Sequence, residues 1–116
     1  MNKIQQYRKV SAKKIGLKLE DHELLGKVYR NYKTQFIVPI DDWKPDLKEN
    51  ADQREMIEDW LIEQGCRLIY EYRKREKSWK VDIYDTYEDG VVIDKSKPIA
   101  FMRAFLAYVE SIKQEG

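Results

Sequence analysis

One complete helix, with its own start and stop signals, stands in the middle of the chain within the segment Trp43 to Gly65. Asn50 or Asp52 can cap its first turn, and an acid such as Asp52 is favoured there by the helix dipole. Gly65 ends the helix, because glycine permits the left-handed backbone that a helix terminus commonly needs before a strand. The apolar stripe of this helix comprises Met56, Ile57, Trp60 and Leu61. The helix indicates where the fold begins and says almost nothing about chemistry.

A β-meander is predicted directly after this helix. Apolar and polar residues alternate from Cys66 to Arg73 and again from Trp79 to Tyr84, with the basic turn Lys74 to Ser78 between them. A second turn at Glu88-Asp89-Gly90 leads into Val91-Val92-Ile93, which we expect to be the third strand of an antiparallel sheet. The strongly apolar faces of the first two strands carry Cys66, Leu68, Tyr70, Tyr72, Trp79, Val81 and Ile83.

Helical periodicity marks three further segments. A short basic helix is expected near the N-terminus and ends or bends at Gly16. A second helix is predicted from about Leu19 to Tyr32, with acids in its first turn. The segment Thr34 to Val38 is typical of a short strand, and Pro39 after it indicates a sheet edge. The last helix begins between Ser96 and Pro98 and runs to about Lys113. The apolar stripes of the three helices comprise Ile4, Tyr7 and Val10; Leu24, Leu25, Val28, Tyr29 and Tyr32; and Ile99, Met102, Phe105, Leu106, Val109 and Ile112.

These elements define the expected fold class. We predict an α+β fold in which a three- to four-stranded, mainly antiparallel sheet is packed by helices as an α/β sandwich. At 116 residues the chain is large enough to bury a modest core. Residues 1–18 are expected to form a basic, helical N-terminal extension, and residues 19–116 a single α+β sandwich domain.

Composition favours an ordinary globular protein, with 42% hydrophobic and 37% charged residues. No apolar run approaches the roughly 18 residues that a membrane span needs, and the N-terminal stretch lacks the apolar core of a signal peptide. The single cysteine, Cys66, cannot form an internal disulfide, which fits a reducing compartment. We therefore expect a cytoplasmic protein without membrane partners.

The net charge of +1 conceals blocks of opposite sign. Residues 1–19 carry six bases and no acid, whereas residues 41–64 carry nine acids against three bases. Residues 67–80 are basic again, and residues 81–94 carry only acids. These blocks either pair with one another across the fold or leave separate surface patches that steer a charged partner.

No pattern in the chain indicates catalysis, a cofactor or a metal. His22 lies between Asp21 and Glu23 and lacks the convergent partners of a catalytic base or metal ligand, so we expect it at the surface. The acids between Asp82 and Asp94 lack the ligand spacing and the glycine of a calcium loop, which favours a solvated hairpin. Cys66 is expected to be a small buried hydrophobe. We therefore predict a protein that is not an enzyme and binds no cofactor or metal.

An ordered set of motifs runs along most of the chain. Trp43-Lys-Pro45 precedes the helix that ends at Gly65, Trp79-Lys-Val-Asp-Ile83 follows, and Pro98-Ile-Ala100 opens an alanine-rich last helix, with Leu24 to Tyr29 ahead of them all. In this order the chain resembles the phage ABA sandwich domain family over roughly residues 19–113. The resemblance implies a small phage or prophage protein with helices packed on a sheet and an undefined biochemical role. The resemblance does not assign a catalytic role to any residue of this chain.

One partly apolar surface is expected to remain once the main core is filled. It comprises Ile69 and Tyr84 on the otherwise polar face of the sheet, where we expect Val92 to join them, and Ile4 and Tyr7 on the N-terminal helix. Either a second copy of the chain or a foreign target covers such a surface, and a homodimer is the simpler option. We therefore predict a protein-binding module that, given the phage resemblance, modulates a host factor or host defence.

Nucleic-acid binding is the alternative function. The basic hairpin 67–80 carries Arg73, Lys74, Arg75 and Lys77 beside tyrosines, so together with the basic N-terminus it offers contacts to phosphates and stacking on bases. The segment from Ala12 to Leu17, followed by the helix predicted from Leu19 to Tyr32, also weakly resembles a helix-turn-helix, but the acids at the start of that helix would face phosphates unfavourably. For that reason we favour protein binding.

Overall fold

Three α-helices and two three-stranded antiparallel sheets make up the described part of the chain, residues 2–86 and 89–115, in the computed structural model. This confirms the predicted α+β class. The chain divides into two compact units, Met1–Lys44 and Pro45–Gly116. The predicted separation of residues 1–18 from a single domain 19–116 stays a prediction. No helix in the described ranges combines the length and apolar character needed to cross a membrane.

Helix α1 (Lys3–Lys14) opens the first unit. Asn2 caps it with a reciprocal pair of hydrogen bonds: its side-chain oxygen accepts from the Gln5 amide at 2.8 Å, and the Gln5 side chain accepts from the Asn2 amide at 3.4 Å. The helix ends before Gly16, whose φ of +88° is the left-handed backbone that glycine adopts without strain. The predicted N-terminal helix is confirmed.

A sheet of three antiparallel strands follows in the order β1 (Lys18–His22), β2 (Gly26–Asn31) and β3 (Phe36–Pro39). Because β3 pairs only with β2 in this sheet, the short edge strand predicted before Pro39 is confirmed. A single 3₁₀ turn, Ile40–Asp42, then leads the chain out of the sheet.

The helix predicted from about Leu19 to Tyr32 is wrong, because this segment forms the β1–β2 hairpin. Gly26 has a φ of +77° at the turn, and Nδ1 of His22 accepts hydrogen bonds from the Leu24 and Leu25 amides, each at 3.1 Å. The two leucines that supplied the helical spacing lie at the turn, where Leu24 is 89% exposed. Local turn geometry and strand pairing therefore outweigh the helical spacing of the apolar side chains.

Trp43 is the largest fully buried side chain of the first unit. Its indole Nε1 donates hydrogen bonds to the Arg8 carbonyl oxygen at 3.1 Å and to Ser11 Oγ at 3.2 Å. The Phe36 ring meets the indole edge-on, with ring centroids 6.2 Å apart. The end of this unit is thus attached to α1 and β3 by one aromatic side chain.

Helix α2 (Ala51–Glu63) in the second unit confirms the predicted central helix. Asn50 occupies the position before its first turn, and Ile57 and Leu61 of the apolar stripe are fully buried. Gly65 has a φ of +89°, as expected for the left-handed residue that ends a helix.

The predicted β-meander is confirmed as β4 (Arg67–Arg73), β5 (Ser78–Tyr84) and β6 (Asp89–Asp94), with β5 in the centre. Val81 of β5 lies opposite Tyr70 on one side and Val92 on the other, and it is fully buried. Directly opposed residues of antiparallel strands share a face, so these three side chains mark the core face of the sheet.

Helix α3 (Lys97–Glu115) confirms the predicted last helix and covers that core face. Its Phe101 ring stacks on Tyr70 of β4, with ring centroids 6.4 Å apart. Phe105, one turn further on, meets Trp60 of α2 edge-on at 6.1 Å and is fully buried. Aromatic contacts therefore join α2, α3 and β4 in the core of this unit.

Gly90 of β6 lies where the sheet and α3 approach each other closely. A Cβ atom at this position would stand 2.5 Å from the carbonyl oxygen of Ala104 and 2.9 Å from the amide nitrogen of Tyr108. Both atoms belong to the helix backbone, which cannot swing aside as a side chain does. Glycine at residue 90 therefore sets the distance between β6 and α3.

Candidate functional site

One face of the β4–β5–β6 sheet points away from the helices of its unit, and we refer to it as the open face. Register places its side chains in three rows across the strands: Arg67, Tyr84 and Asp89; Ile69, Asp82 and Val91; and Glu71, Lys80 and Ile93. The contacts of Tyr70 with Phe101 and of Gly90 with α3 lie on the opposite face. Both helices of the unit contact residues of that opposite face: Glu58 of α2 accepts a hydrogen bond from Tyr70, and α3 lies against Tyr70 and Gly90.

Three apolar side chains of the open face are about half exposed. Ile69 is 48% exposed, and Val91 and Ile93 are each 46% exposed. Ile69 lies on β4, whereas Val91 and Ile93 lie on β6, so the three residues are spread over both sides of the face. These three half-exposed aliphatic side chains on one sheet face are apolar surface that a binding partner would cover.

Val92, which the sequence pattern predicts beside Ile69 and Tyr84, lies opposite Val81 and therefore belongs to the core face, so this prediction is wrong. Its neighbours Val91 and Ile93 point outward instead. The error arose because strand alternation alone leaves two possible phases in a run of three apolar residues, and pairing of Gly90 with Ile83 selects one of them.

Charges of both signs surround the aliphatic residues of the open face. Arg67 and Glu71 are exposed on β4, while Lys80 is half-buried on the central strand. Tyr84, also half-buried, adds a ring at the end of the face between Arg67 and Asp89. The central strand of the open face therefore carries Tyr84, Asp82 and Lys80, and the aliphatic residues lie on the two strands beside it.

Asp82 lies in the middle row of the open face, between Ile69 and Val91. Its Oδ1 atom is buried and has no hydrogen-bond partner among the described groups. Burial, reinforced by the nearby Asp89 carboxylate, raises the pKa of Asp82 to about 6. At neutral pH the centre of this face therefore carries an unfavourably placed negative charge, which a partner cation would stabilise.

The raised pKa of Asp82 makes stability depend on pH. Because the folded chain favours the protonated carboxyl, the free energy of unfolding falls as pH rises from about 4 to about 6. We expect Asp82→Asn to raise it by about 1 to 2 kcal/mol at pH 7.5, allowing for solvent screening, and to change it little at pH 4. Urea denaturation at both pH values measures this. Asp59→Asn on the exposed side of α2 is the control, and an equal gain from Asp59→Asn would contradict the assignment.

The four predicted partner-binding residues are divided between the two units. Ile69 and Tyr84 share the open face of the second unit, as predicted. Ile4 lies on α1 in the first unit and is 41% exposed, but Tyr7 on the same helix is only 5% exposed. Tyr7 is thus a core residue, and its assignment to an open surface is corrected: the spacing of Ile4 and Tyr7 marks a helix face without telling which of its residues are covered.

The four residues predicted to contact nucleic acid lie next to one another in the structure. Arg73 ends β4, and Lys74, Arg75 and Lys77 occupy the exposed turn that leads to β5. Glu76 in the same turn pairs with Arg73 at 3.8 Å and reduces the net positive charge there. The Tyr72 ring next to this turn lies against Trp79, with ring centroids 5.2 Å apart. The turn is therefore a basic protrusion beside an aromatic pair.

Several side chains of types that act in catalysis are hydrogen-bonded or buried in this unit. The hydroxyl of Tyr108 donates a hydrogen bond to Oδ2 of Asp85 at 2.5 Å. Burial raises the pKa of the adjacent Cys66 thiol, so it is less readily ionised than a free cysteine. Asp94 accepts a hydrogen bond from the Ser96 amide and pairs with Arg103 at 3.0 Å. Of the five acids considered as metal ligands, Asp85 and Asp94 thus serve the fold, and Glu88 lies outside the described residues.

None of the known protein-family models matches this chain, and comparisons with curated proteins and with solved structures also found no match. The resemblance to the phage ABA sandwich family therefore stays a prediction.

Proposed function

We propose that this protein is a non-enzymatic protein-binding module that uses the open face of its second sheet. The observation that carries the proposal is the set of aliphatic residues Ile69, Val91 and Ile93, each about half exposed on the sheet face opposite the one that the helices of the unit contact. Burying such residues against a partner gains hydrophobic free energy in proportion to the area removed from water. The surrounding charges would orient the partner.

The chemistry of the partner surface follows from Asp82. An apolar patch with a lysine or arginine at its centre would cover the aliphatic residues and neutralise this carboxylate, which has a buried, unpartnered oxygen. A second copy of the chain is one candidate, because Lys80 and Asp82 are neighbours on β5 and a two-fold contact would bring each near the other in the opposing copy. A host protein is the other candidate.

The phage resemblance supports a more specific version of this proposal. In that version the protein is encoded by a phage or prophage, acts in the cytoplasm of the bacterial host, and occupies the surface of a host factor or host-defence protein. Support for the biological setting comes from the motif order alone, since fold does not determine function.

The experiment compares three forms of the protein. In one, Ile69, Val91 and Ile93 are replaced by serine; in the matched control, Leu24, Leu25 and Ile62, which are exposed elsewhere, are replaced by serine. Light scattering at about 100 µM detects self-association as weak as about 5 to 6 kcal/mol. If wild type is monomeric, immobilised forms are incubated with bacterial lysate.

The proposal expects an associated species, either a dimer or a retained host protein, that is present with wild type and control and lost with the open-face variant. Equal association of the open-face variant, at unchanged melting temperature, would reject the open face as the binding site. The absence of any associated species with wild type would reject the proposal as a whole.

Nucleic-acid binding is the second candidate because Arg73, Lys74, Arg75 and Lys77 form one exposed basic turn. If they contact phosphates, replacing all four by serine should flatten the dependence of affinity on salt by about one unit per lost contact. Replacing the exposed Lys27, Lys33, Lys48 and Lys95 removes the same charge elsewhere and is the control. We expect no salt-sensitive oligonucleotide binding, since Glu76 opposes the charge of the turn.

A further inference from the structure

Strand β4 (Arg67–Arg73) is an outer strand of its sheet and pairs only with β5. Its residues face those of β5 in unbroken register from one end to the other, so no bulge interrupts the strand. Beyond this ladder, the described residues contain no hydrogen bond to a backbone atom of β4. The amides and carbonyls on its outer side are therefore available to a further strand.

Two of the other outer strands carry features that oppose such pairing. Strand β3 ends in Pro39, which has no amide hydrogen to donate. On β6, Nη1 of Arg103 donates hydrogen bonds to the Ile93 carbonyl oxygen at 3.5 Å and to Oδ2 of Asp94 at 3.0 Å. Strand β4 contains no proline, and no side chain among the described residues bonds to its backbone. Its outer edge therefore lacks the usual protection against pairing with another chain.

Two side chains of opposite charge stand on the open-face side of β4. Arg67 and Glu71 are both exposed, and they lie about 13 Å apart along the strand, too far to pair with each other. Lys80 lies opposite Glu71 in the strand register, but among the described residues neither Arg67 nor Glu71 forms an ion pair. Ile69 lies midway between them and is 48% exposed. The exposed side chains along β4 thus follow the order cation, aliphatic, anion.

This order is self-complementary in one antiparallel register. Every second residue of an outer strand turns its backbone groups outward, so two copies of β4 pair about a residue and not about a peptide bond. Centring on Tyr70 sets Arg67 against Arg73, and centring on Glu71 sets two carboxylates against each other, so both registers oppose like charges. Centring on Ile69 sets Arg67 of each copy against Glu71 of the other and brings the two Ile69 side chains together.

We propose that β4 pairs antiparallel with β4 of a second copy of this chain, centred on Ile69, so that the two three-stranded sheets become one continuous sheet. Two Arg67–Glu71 pairs and the contact between the Ile69 side chains then add to the backbone ladder. The two-fold axis of such a pair keeps equivalent faces on the same side, so the two open faces become one surface. This contact through the edge of the sheet goes beyond the protein-binding role proposed for the open face.

Sedimentation equilibrium of the full chain and of charge variants tests the contact. We expect a wild-type dimer with a dissociation constant between about 1 and 100 µM. Arg67→Glu turns both attractive pairs into repulsive ones and should weaken dimerisation at least about tenfold. Adding Glu71→Arg exchanges the two charges and should return the dissociation constant to within about threefold of wild type. Lys95→Glu makes the same change in net charge at an exposed position outside β4 and should shift it less than about twofold.

A cysteine at residue 69 tests the register directly. Directly opposed residues of antiparallel strands have Cα atoms about 4.5 to 5.5 Å apart, which is within the span of a disulfide. We expect oxidised glutathione to link two Ile69→Cys chains, as seen by non-reducing electrophoresis, and to leave wild type, whose Cys66 is buried, unlinked. Val91→Cys replaces a residue that is 46% exposed on β6 of the same face, and this matched control should also stay unlinked.

Each other outcome overturns the proposal. A wild-type monomer at about 0.5 mM excludes a dimer of this strength. Failure of Glu71→Arg to restore the dimer, at an unchanged melting temperature, rejects the register; if the exchange impairs folding, the cysteine variants decide. An unlinked Ile69→Cys chain, or equal linking of Ile69→Cys and Val91→Cys, rejects the edge contact.

A double variant separates this result from the open-face proposal. Replacing Val91 and Ile93 by serine removes apolar surface from β6 and leaves β4 unchanged, so it should keep the β4 dimer and lose only binding through the open face. Loss of the dimer in this variant, at an unchanged melting temperature, would show that the copies meet through the open face and would overturn the edge contact.

Discussion

Replacing Phe105 by alanine is expected to lower the free energy of unfolding by about 3 to 5 kcal/mol, the usual cost of removing a buried aromatic ring. Phe105 is fully buried, and its ring meets Trp60 of α2 edge-on at 6.1 Å. The substitution removes apolar burial and leaves a cavity beside α2, so it weakens the packing of both helices at once. Urea denaturation followed by circular dichroism measures the loss.

Ile112→Ala on the same helix is the matched control for Phe105→Ala. Ile112 is 38% exposed, so its truncation should cost less than about 1 kcal/mol. If Phe105→Ala also lowered the free energy of unfolding by less than about 1 kcal/mol, α3 would not pack on the core face as described.

Replacing Gly90 by alanine should cost about 3 kcal/mol, which is large for the addition of a single methyl group. The new Cβ would stand 2.5 Å from the Ala104 carbonyl oxygen, well inside van der Waals contact. Either β6 or α3 must move, and both are packed against β5. Thermal melting of the variant and of wild type provides the comparison.

The new Cβ would meet a backbone atom of Ala104 rather than its side chain, and a second substitution at residue 104 tests this. Ala104→Gly removes a side chain but leaves the carbonyl oxygen in place, so the Gly90→Ala, Ala104→Gly double variant should be no more stable than Gly90→Ala alone. Recovery of stability in the double variant would show that the close approach involves the Ala104 side chain instead.

The second unit could be predicted from sequence because its signals are local. Gly65 ends α2 within a few residues of the stripe that defines it, and the alternation in β4 and β5 lies within single strands. The local pattern of residues 18–31, by contrast, predicts a helix where the chain forms a hairpin. Leu24 and Leu25 fit a helical period, whereas the pairing of β1 with β2 is a property of two segments that only the fold brings together.

The same contrast between local signals and long-range pairing applies to the residues of the candidate sites. Ile69 could be found, because alternation around it is unambiguous, but Val91 and Ile93 required the register that begins with Gly90 opposite Ile83. Alternation also places Arg67 and Glu71 on one side of a strand, but it does not tell whether the fold brings an opposite charge to either of them. Only the backbone path determines which charges pair within the chain.

The strand order of both sheets also has a consequence for how the chain folds. Each strand pairs only with the strand before or after it in sequence, in the orders β1-β2-β3 and β4-β5-β6. Every pairing therefore closes a short loop, which keeps the entropic cost of each step low and favours rapid folding. Synthesis proceeds from the N-terminus, so β1, β2 and β3 can pair as a complete sheet while β4 to β6 are still untranslated.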